Sequence, residues 1–243
     1  MTGMKLQNVR KAIKNTNNIA LDIMTKWENV CKNTTSPEKD FDYIPVTEKN
    51  VVSCLNVKDK SEYKRVTLND AYFIDKKDDL IVVLEKMYKL YNLKRVTFLI
   101  VGDPNNPLGV INHSDLNSLP FLHVMWDVFY NFEIKLTNYL MDKFNEQDRF
   151  TEQDIINNFY NDERSAYNRD KKNGQELEPI LYLNLSHKIK LSNDFSETNK
   201  IEVKAKFRNN MAHPRTKARV ISNKSEIGEL YETLIGIDNF LSS

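Results

Sequence analysis

Cysteine is scarce in this chain: Cys31 and Cys54 are the only two among 243 residues. They form no CxxC pair and are too few for a disulfide framework, so a reducing, cytoplasmic setting is the expectation. Net charge is nearly absent, at +1. The molecule as a whole does not attract polyanions, and any nucleic-acid site must be a local patch. Long hydrophobic runs are missing as well. LIVVL at 80–84 and VTFLIV at 96–101 are far too short to span a bilayer. The opening MTGMKLQNVRKAIKNTNNIALDIM lacks the apolar core and small-residue cleavage site of a signal peptide. No membrane partner is expected. There is no Walker-type or GxGxxG loop, no HExxH and no cysteine cluster. The four histidines, at 113, 123, 187 and 213, are scattered, so no metal and no catalytic cofactor is expected.

What is present is the composition of a folded protein, 40% hydrophobic and 28% charged, in a chain long enough for two modest domains. Helical spacing runs through 6–23, with Val9, Ile13, Ile19, Ala20 and Ile23 as its apolar members. YIPV (43–46) and VVSCLNV (51–57) read as short strands. YFI (72–74) is another, followed by a helix at about 79–91 that Asp78 is placed to cap. VTFLIV, the turn GDPNNP (102–107) and LGVI (108–111) make a β-hairpin. SCLNVKD (53–59) and GVINHSD (109–115) align at an offset of 56 residues, each ending a strand in Asn with Asp three residues later. Such self-similarity suggests a duplicated α/β unit.

Beyond residue 117 the character changes. FLHVMWDVFYNFEIKLTNYLMDKF (121–144) carries one apolar stripe of Phe121, Met125, Val128, Phe129, Phe132, Leu136, Tyr139 and Leu140, which predicts a long helix. Residues 151–175 read as a short helix and then a mobile loop. A last helix is expected at about 224–241, with Asn223 and Glu226 as a capping box. Between them, 177–191 places Leu181, Leu183, Leu185, Ile189 and Leu191 in strict alternation, which argues for a strand, although Pro179 suits a helix start. In the long helix, His123 reads as a half-buried packing residue. Trp126 and the neighbouring aromatics read as core or dimer interface before they read as base-stacking groups.

The repeat and the segment PLGVINHSDL (107–116) resemble the CBS module, a small β-α-β-β-α unit, with YIPVTEKNVVSCLNVKD (43–59) as the matching piece of a shortened first copy. The resemblance covers about 20–117. It implies an adenosine-containing ligand between the repeats, with Asn56, Asp59, Asn112 and Asp115 at the binding positions and the two carboxylates accepting ribose hydroxyls. This chain has Asn112 where the family often has Ser or Thr. The alternative is that Asp59 and Asp115 only cap the helices after their strands.

The other constellation is FRNNMAHP at 207–214. On an ideal helix Arg208 and His213 stand about 140° apart, whereas Asn209 and His213 share a face. Arg and His converge only if the last turn is distorted, as Pro214 allows, or if two chains meet. From 200 to 219 there are seven basic residues against one acid, a local charge of +6. Such a patch can hold a polyanion, and Lys204, Lys206, Arg215, Lys217 and Arg219 are its candidate RNA contacts.

Arg-Asn followed by His-Pro at a helix end resembles the signature of HEPN domains, which are α-helical, usually dimeric and in many cases metal-independent ribonucleases. The resemblance spans about 119–243. FYNFEIKLTNYL (129–140) matches the family's first helix, with Glu133 at its commonly acidic position. LYLNLSHKIKL (181–191) resembles a helix of that family, which overrides its alternating pattern. Carried over, Arg208 would stabilise the crowded phosphate and Asn209 would orient groups. His213 would act as general base on the ribose 2′-OH or as acid on the leaving oxygen, giving 2′,3′-cyclic phosphate and 5′-OH ends. The alternative is that Arg208 and His213 merely cap carbonyls at a helix end.

The combined expectation is an α+β chain with a CBS-like α/β repeat pair at 1–117 and an all-α HEPN bundle at 118–243. It would be a cytoplasmic, homodimeric endoribonuclease regulated by an adenine nucleotide or related signal. The competing expectation is a non-catalytic nucleotide-sensing scaffold or RNA-binding regulator.

Overall fold

The computed structural model describes residues 6–13, 18–26, 43–48, 51–56, 64–146, 151–175, 177–195, 200–212 and 219–242. The architecture is mixed α+β, mostly helical, with a small four-stranded sheet and a separate three-stranded one. Two compact units divide the chain, and neither is continuous in sequence. One comprises residues 1–13, 126–209 and 232–243; the other comprises 14–125 and 210–231.

The sheet unit begins with α2 (Ala20–Ile23) and β1 (Thr25–Lys26), after α1 (Gln7–Ala12) in the helical unit. The helix expected across 6–23 is therefore two short ones. The chain turns extended at Ile13 (φ −80°, ψ 97°), and the apolar residues on either side, Val9 and Ala20, serve different units. Next come β2 (Tyr43–Glu48), β3 (Val51–Asn56) and β4 (Lys64–Thr67), an antiparallel meander. The two expected strands are present, and β4 is an addition.

A tight turn at Asp70–Tyr72 leads into β5 (Phe73–Ile74), α3 (Leu80–Lys94), β6 (Phe98–Asp103) and β7 (Asn106–Asn112). The strand order is β1-β7-β6-β5, with β5 parallel to β6 and the other pairs antiparallel. Phe98, Leu99, Ile100 and Val101 are all buried, the burial on both faces that a continuous apolar run predicts. The hairpin closes at Gly102, whose φ of +108° and whose distance of 2.5 Å from a would-be Cβ to the Asn106 carbonyl oxygen exclude any side chain. Asp103 Oδ1 accepts from the Asn105 and Asn106 amides at 2.8 and 3.1 Å and holds the turn. The cap of α3 is Asp79, which accepts from the Val82 amide at 2.9 Å, not Asp78 as expected; Asp78 instead accepts from the Asp75 amide.

The two segments of the internal repeat both end strands, β3 at Asn56 and β7 at Asn112. Their surroundings differ. β7 belongs to a β-α-β-β succession, while β3 lies inside the meander. Within the same unit, Asn117 anchors a distant segment: its side-chain oxygen accepts from Val220 and Ile221 at 2.7 and 3.1 Å, and its amide donates to the Ile221 carbonyl at 2.9 Å.

The remaining helices are α4 (Leu119–Glu146), α5 (Glu152–Asn157), α6 (Asn161–Lys172), α7 (Pro179–Tyr182), α8 (Leu185–Phe195), α9 (Lys206–Ala212) and α10 (Glu226–Ser242). On α4 the expected stripe is buried from Phe121 to Leu140, with Tyr139 only half-buried. Residues 161–172 form α6, not the mobile loop expected from their polarity. Only Glu163 and Tyr167 are buried on that helix, and Tyr167 meets Phe159 and Tyr182 edge-on at 5.6 and 5.4 Å. The helical override of 177–191 holds. Glu226 begins α10 and reaches back to the Ser222 amide at 2.6 Å, while Asn223 accepts from the Ser225 amide at 3.0 Å. The cap thus lies slightly later than the expected box.

Candidate functional site

The helical unit gathers two cationic side chains, from two helices, around one carboxylate of a third. Glu133 lies near the middle of α4, with its side chain 19% exposed. Its Oε2 meets Arg208 of α9 at 3.3 Å, and its Oε1 meets the Lys188 ammonium of α8 at 3.3 Å. One acid therefore holds two cations, and the cluster keeps a net positive charge. Lys188 is 7% exposed, so its charge is tolerated only because Glu133 answers it.

Arg208 is less enclosed, at 30% exposed. Among the described residues, its polar partner is Glu133 alone, through one terminal nitrogen. The rest of the planar fork is open to an oxyanion, for which its geometry is suited. Its guanidinium also lies 5.8 Å from the centre of the Trp126 ring. Trp126 is 41% exposed and Tyr130, one turn on, 56%. The core reading of Trp126 is thereby corrected. The α4 stripe that is buried lies on the opposite face, leaving 126, 130 and 134 outward at i, i+4 and i+8. His123 is exposed too, not half-buried.

α9 exists because Phe207 is fully buried and Met211, one turn later, is 8% exposed. That anchoring leaves Arg208 at the margin and Asn209 exposed, its amide closing the turn to Ala205 at 3.0 Å. His213, Arg215 and Lys217 lie outside the described residues. Of the other expected RNA contacts, Lys204 and Arg219 are exposed, and Lys206 is half-buried with its ammonium 5.0 Å from the Phe207 ring.

The sheet unit carries the second set. Asn112 ends β7, and its amide donates to Asp115 Oδ2 at 2.7 Å. Asp115 thus caps the turn His113–Asn117. Burial pushes its carboxyl up to about 6, with the Asn112 amide pulling the other way. The geometry is that of a capping residue, the alternative recognised in the sequence. Asn56 closes β3 opposite Tyr43 and Lys64, with only its backbone described; Asp59 lies outside the described residues.

Two features were not visible in the sequence pattern. Lys188 is the basic member of a buried helical stripe, with Leu185, Ile189 and Ser192. A lysine at i+3 in an apolar stripe is the signal that could have found it, once the segment is read as a helix. The other is a pair of buried side chains, Glu163 and His187, 2.9 Å apart. Among the described residues no group of three or more His, Cys, Asp or Glu side chains is placed to hold a metal ion, and no helix is long and apolar enough to cross a membrane.

Comparisons of the chain with models of protein families, with curated proteins and with solved structures find no match.

Proposed function

We propose that the Glu133–Lys188–Arg208 cluster engages RNA and, with His213, makes the chain a metal-independent endoribonuclease. The observation that carries this reading is Arg208 tethered to Glu133 by one nitrogen, with the rest of its fork free beside an exposed tryptophan. A fixed guanidinium with open donors supports the equatorial oxygens of a phosphodiester as negative charge builds on them. The ribose 2′-oxygen attacks phosphorus and the bond from phosphorus to the 5′-oxygen breaks. One proton leaves the 2′-OH and one reaches the departing 5′-oxygen, transfers suited to an imidazole at His213. The products are a 2′,3′-cyclic phosphate and a 5′-OH.

Regulation by an adenosine-containing ligand at Asn112 and Asp115, in a homodimer whose two HEPN-like halves align on binding, belongs to the same proposal. The β5–α3–β6–β7 succession supports it, because its order matches the β-α-β-β part of a CBS module. The cap role of Asp115 weighs against it. Any such ligand must bind one dimer state better than the other.

The test is cleavage of RNA in EDTA by the wild type, Arg208→Ala and His213→Ala, with the product ends identified. Cutting that leaves cyclic phosphate and disappears in both variants supports the proposal. Equal activity in all three overturns it. A second reading, a dimerising scaffold without activity, is favoured by the exposed row of Trp126, Tyr130 and Ile134 on α4. It predicts no cleavage by the wild type and a loss of dimer on Tyr130→Asp.

A further inference from the structure

His187 and Lys188 are neighbours on α8, so they point about 100° apart. Lys188 turns to Glu133; His187 turns to Glu163 and does not belong to the cluster around Arg208. Both members of this pair are more than nine-tenths buried. Glu163 accepts from the Tyr160 amide at 2.8 Å, the Asn184 amide at 2.8 Å and His187 Nδ1 at 2.9 Å. A carboxylate accepts only, so Nδ1 carries the hydrogen, and in the neutral ring Nε2 is left as an acceptor. Among the described residues Nε2 has no hydrogen-bond partner. Tyr160 packs against the ring at 4.6 Å and fixes its plane. The ring thus has a set orientation and one nitrogen that no described protein group uses.

The ring lines an open pocket of about 80 Å³ between α5 and α8. Asp154, Asn158 and Asp194 share the lining with it, and Lys190 is the cation at the rim. Ile155 and Leu191 complete the wall. Asp154 stays ionised, because the amide and hydroxyl of Thr151 both donate to it and hold its carboxyl below the usual value. The lining therefore offers two carboxylates against one ammonium, together with an imidazole nitrogen and an amide.

We propose that this pocket is a second binding site, and that its ligand is a small primary alkylammonium ion. The ammonium group donates to Nε2 of His187 and to the carboxylates, and its short carbon chain lies against Ile155 and Leu191. A cation of similar size without N–H donors lacks the first of these contacts. An anion meets two carboxylates. The site is independent of the ribonuclease reading, since it uses none of the same side chains.

Long-range proton–nitrogen NMR of the four histidines in the full chain tests this. His187 is assigned by the signal lost in His187→Gln or, should that variant not fold, by the signal that survives replacement of His113, His123 and His213. The free protein at pH 8 is expected to show Nδ1 protonated and Nε2 bare. Ethylammonium chloride should then shift the Nε2 signal along a saturating curve. Tetramethylammonium and sodium chlorides at equal ionic strength should leave it in place. Asp194→Asn should weaken ethylammonium binding at least about fivefold. A ring protonated at Nε2, a shift that tetramethylammonium reproduces, a shift that never saturates, or an Asp194→Asn variant that binds as the wild type does would each overturn the proposal.

Discussion

Glu133 shows how much one side chain decides. In the sequence it is an acid on the long helix, at a position where the family resemblance implies one; in the fold it answers a buried lysine and a half-buried arginine together. Removing its charge strands the Lys188 ammonium inside the protein. Glu133→Gln is therefore expected to destabilise the chain by about 3 kcal/mol, the lower end for breaking a buried pair. Lys188→Met, which replaces the buried charge with an apolar chain of similar length, should cost within about 1 kcal/mol. Urea unfolding of the two variants decides; equal losses would mean the pair is not buried as described.

Asp115 gives a second test at this scale. Its folded carboxyl titrates at about 6, above the ordinary 3.8. Between those values the folded state holds more protons than the unfolded state, so stability falls as pH rises through that window and levels off above it. The Tm of the wild type relative to Asp115→Asn should drop from pH 4 to pH 6 and stay flat from 7 to 8. A difference independent of pH would show that the carboxyl titrates normally.

At the scale of elements, backbone approach matters as much as side-chain chemistry. Gly236 of α10 faces the chain at Glu202 so closely that a Cβ would lie 2.6 Å from the Glu202 carbonyl oxygen. Gly236→Ala places a methyl group against backbone that cannot swing away, and an overpacking loss of about 1–3 kcal/mol is expected in thermal unfolding. Gly228 of the same helix has nothing nearer than 3.9 Å to a would-be Cβ. Gly228→Ala should leave stability unchanged or raise it by up to about 1 kcal/mol, since alanine is the better helix former. The same scale explains which elements were legible. The 121–144 stripe was read correctly because seven of its eight members meet a core, which keeps strict helical period over many turns. The alternation at 177–191 does not mark a strand because it straddles a break: Leu181 lies exposed in α7, Leu183 is extended and buried, and Leu185 starts α8. Periodicity carries no information across such a break. Residues 161–172 read as a loop because a helix with two buried residues has no stripe to see.

For the whole molecule, the charge pattern sets the expected behaviour toward RNA. The patch from 200 to 219 is strongly basic on a chain that is nearly neutral. RNA binding should weaken steeply with salt, and Arg219→Gln should lower the slope of log affinity against log salt by about 0.7, the value for one single-strand phosphate contact. Fluorescence anisotropy at several salt concentrations measures it. A slope unchanged in the variant would remove Arg219 from the interface.

Composition, the apolar stripes, the turn at 102–107 and the basic run are local properties, written in neighbouring residues, and the sequence by itself determined them. Three outcomes were decided only by tertiary structure. The units took their residues from separate parts of the chain, as 1–13 joining 126–209 shows. Lys188, and not a residue of the basic run, shared Glu133 with Arg208. Glu163 found His187 across 24 positions and left one ring nitrogen bare beside a pocket. The physical reason is common to all three. Such contacts join residues distant in the chain, and their energy depends on burial and distance, which no window of neighbouring residues contains.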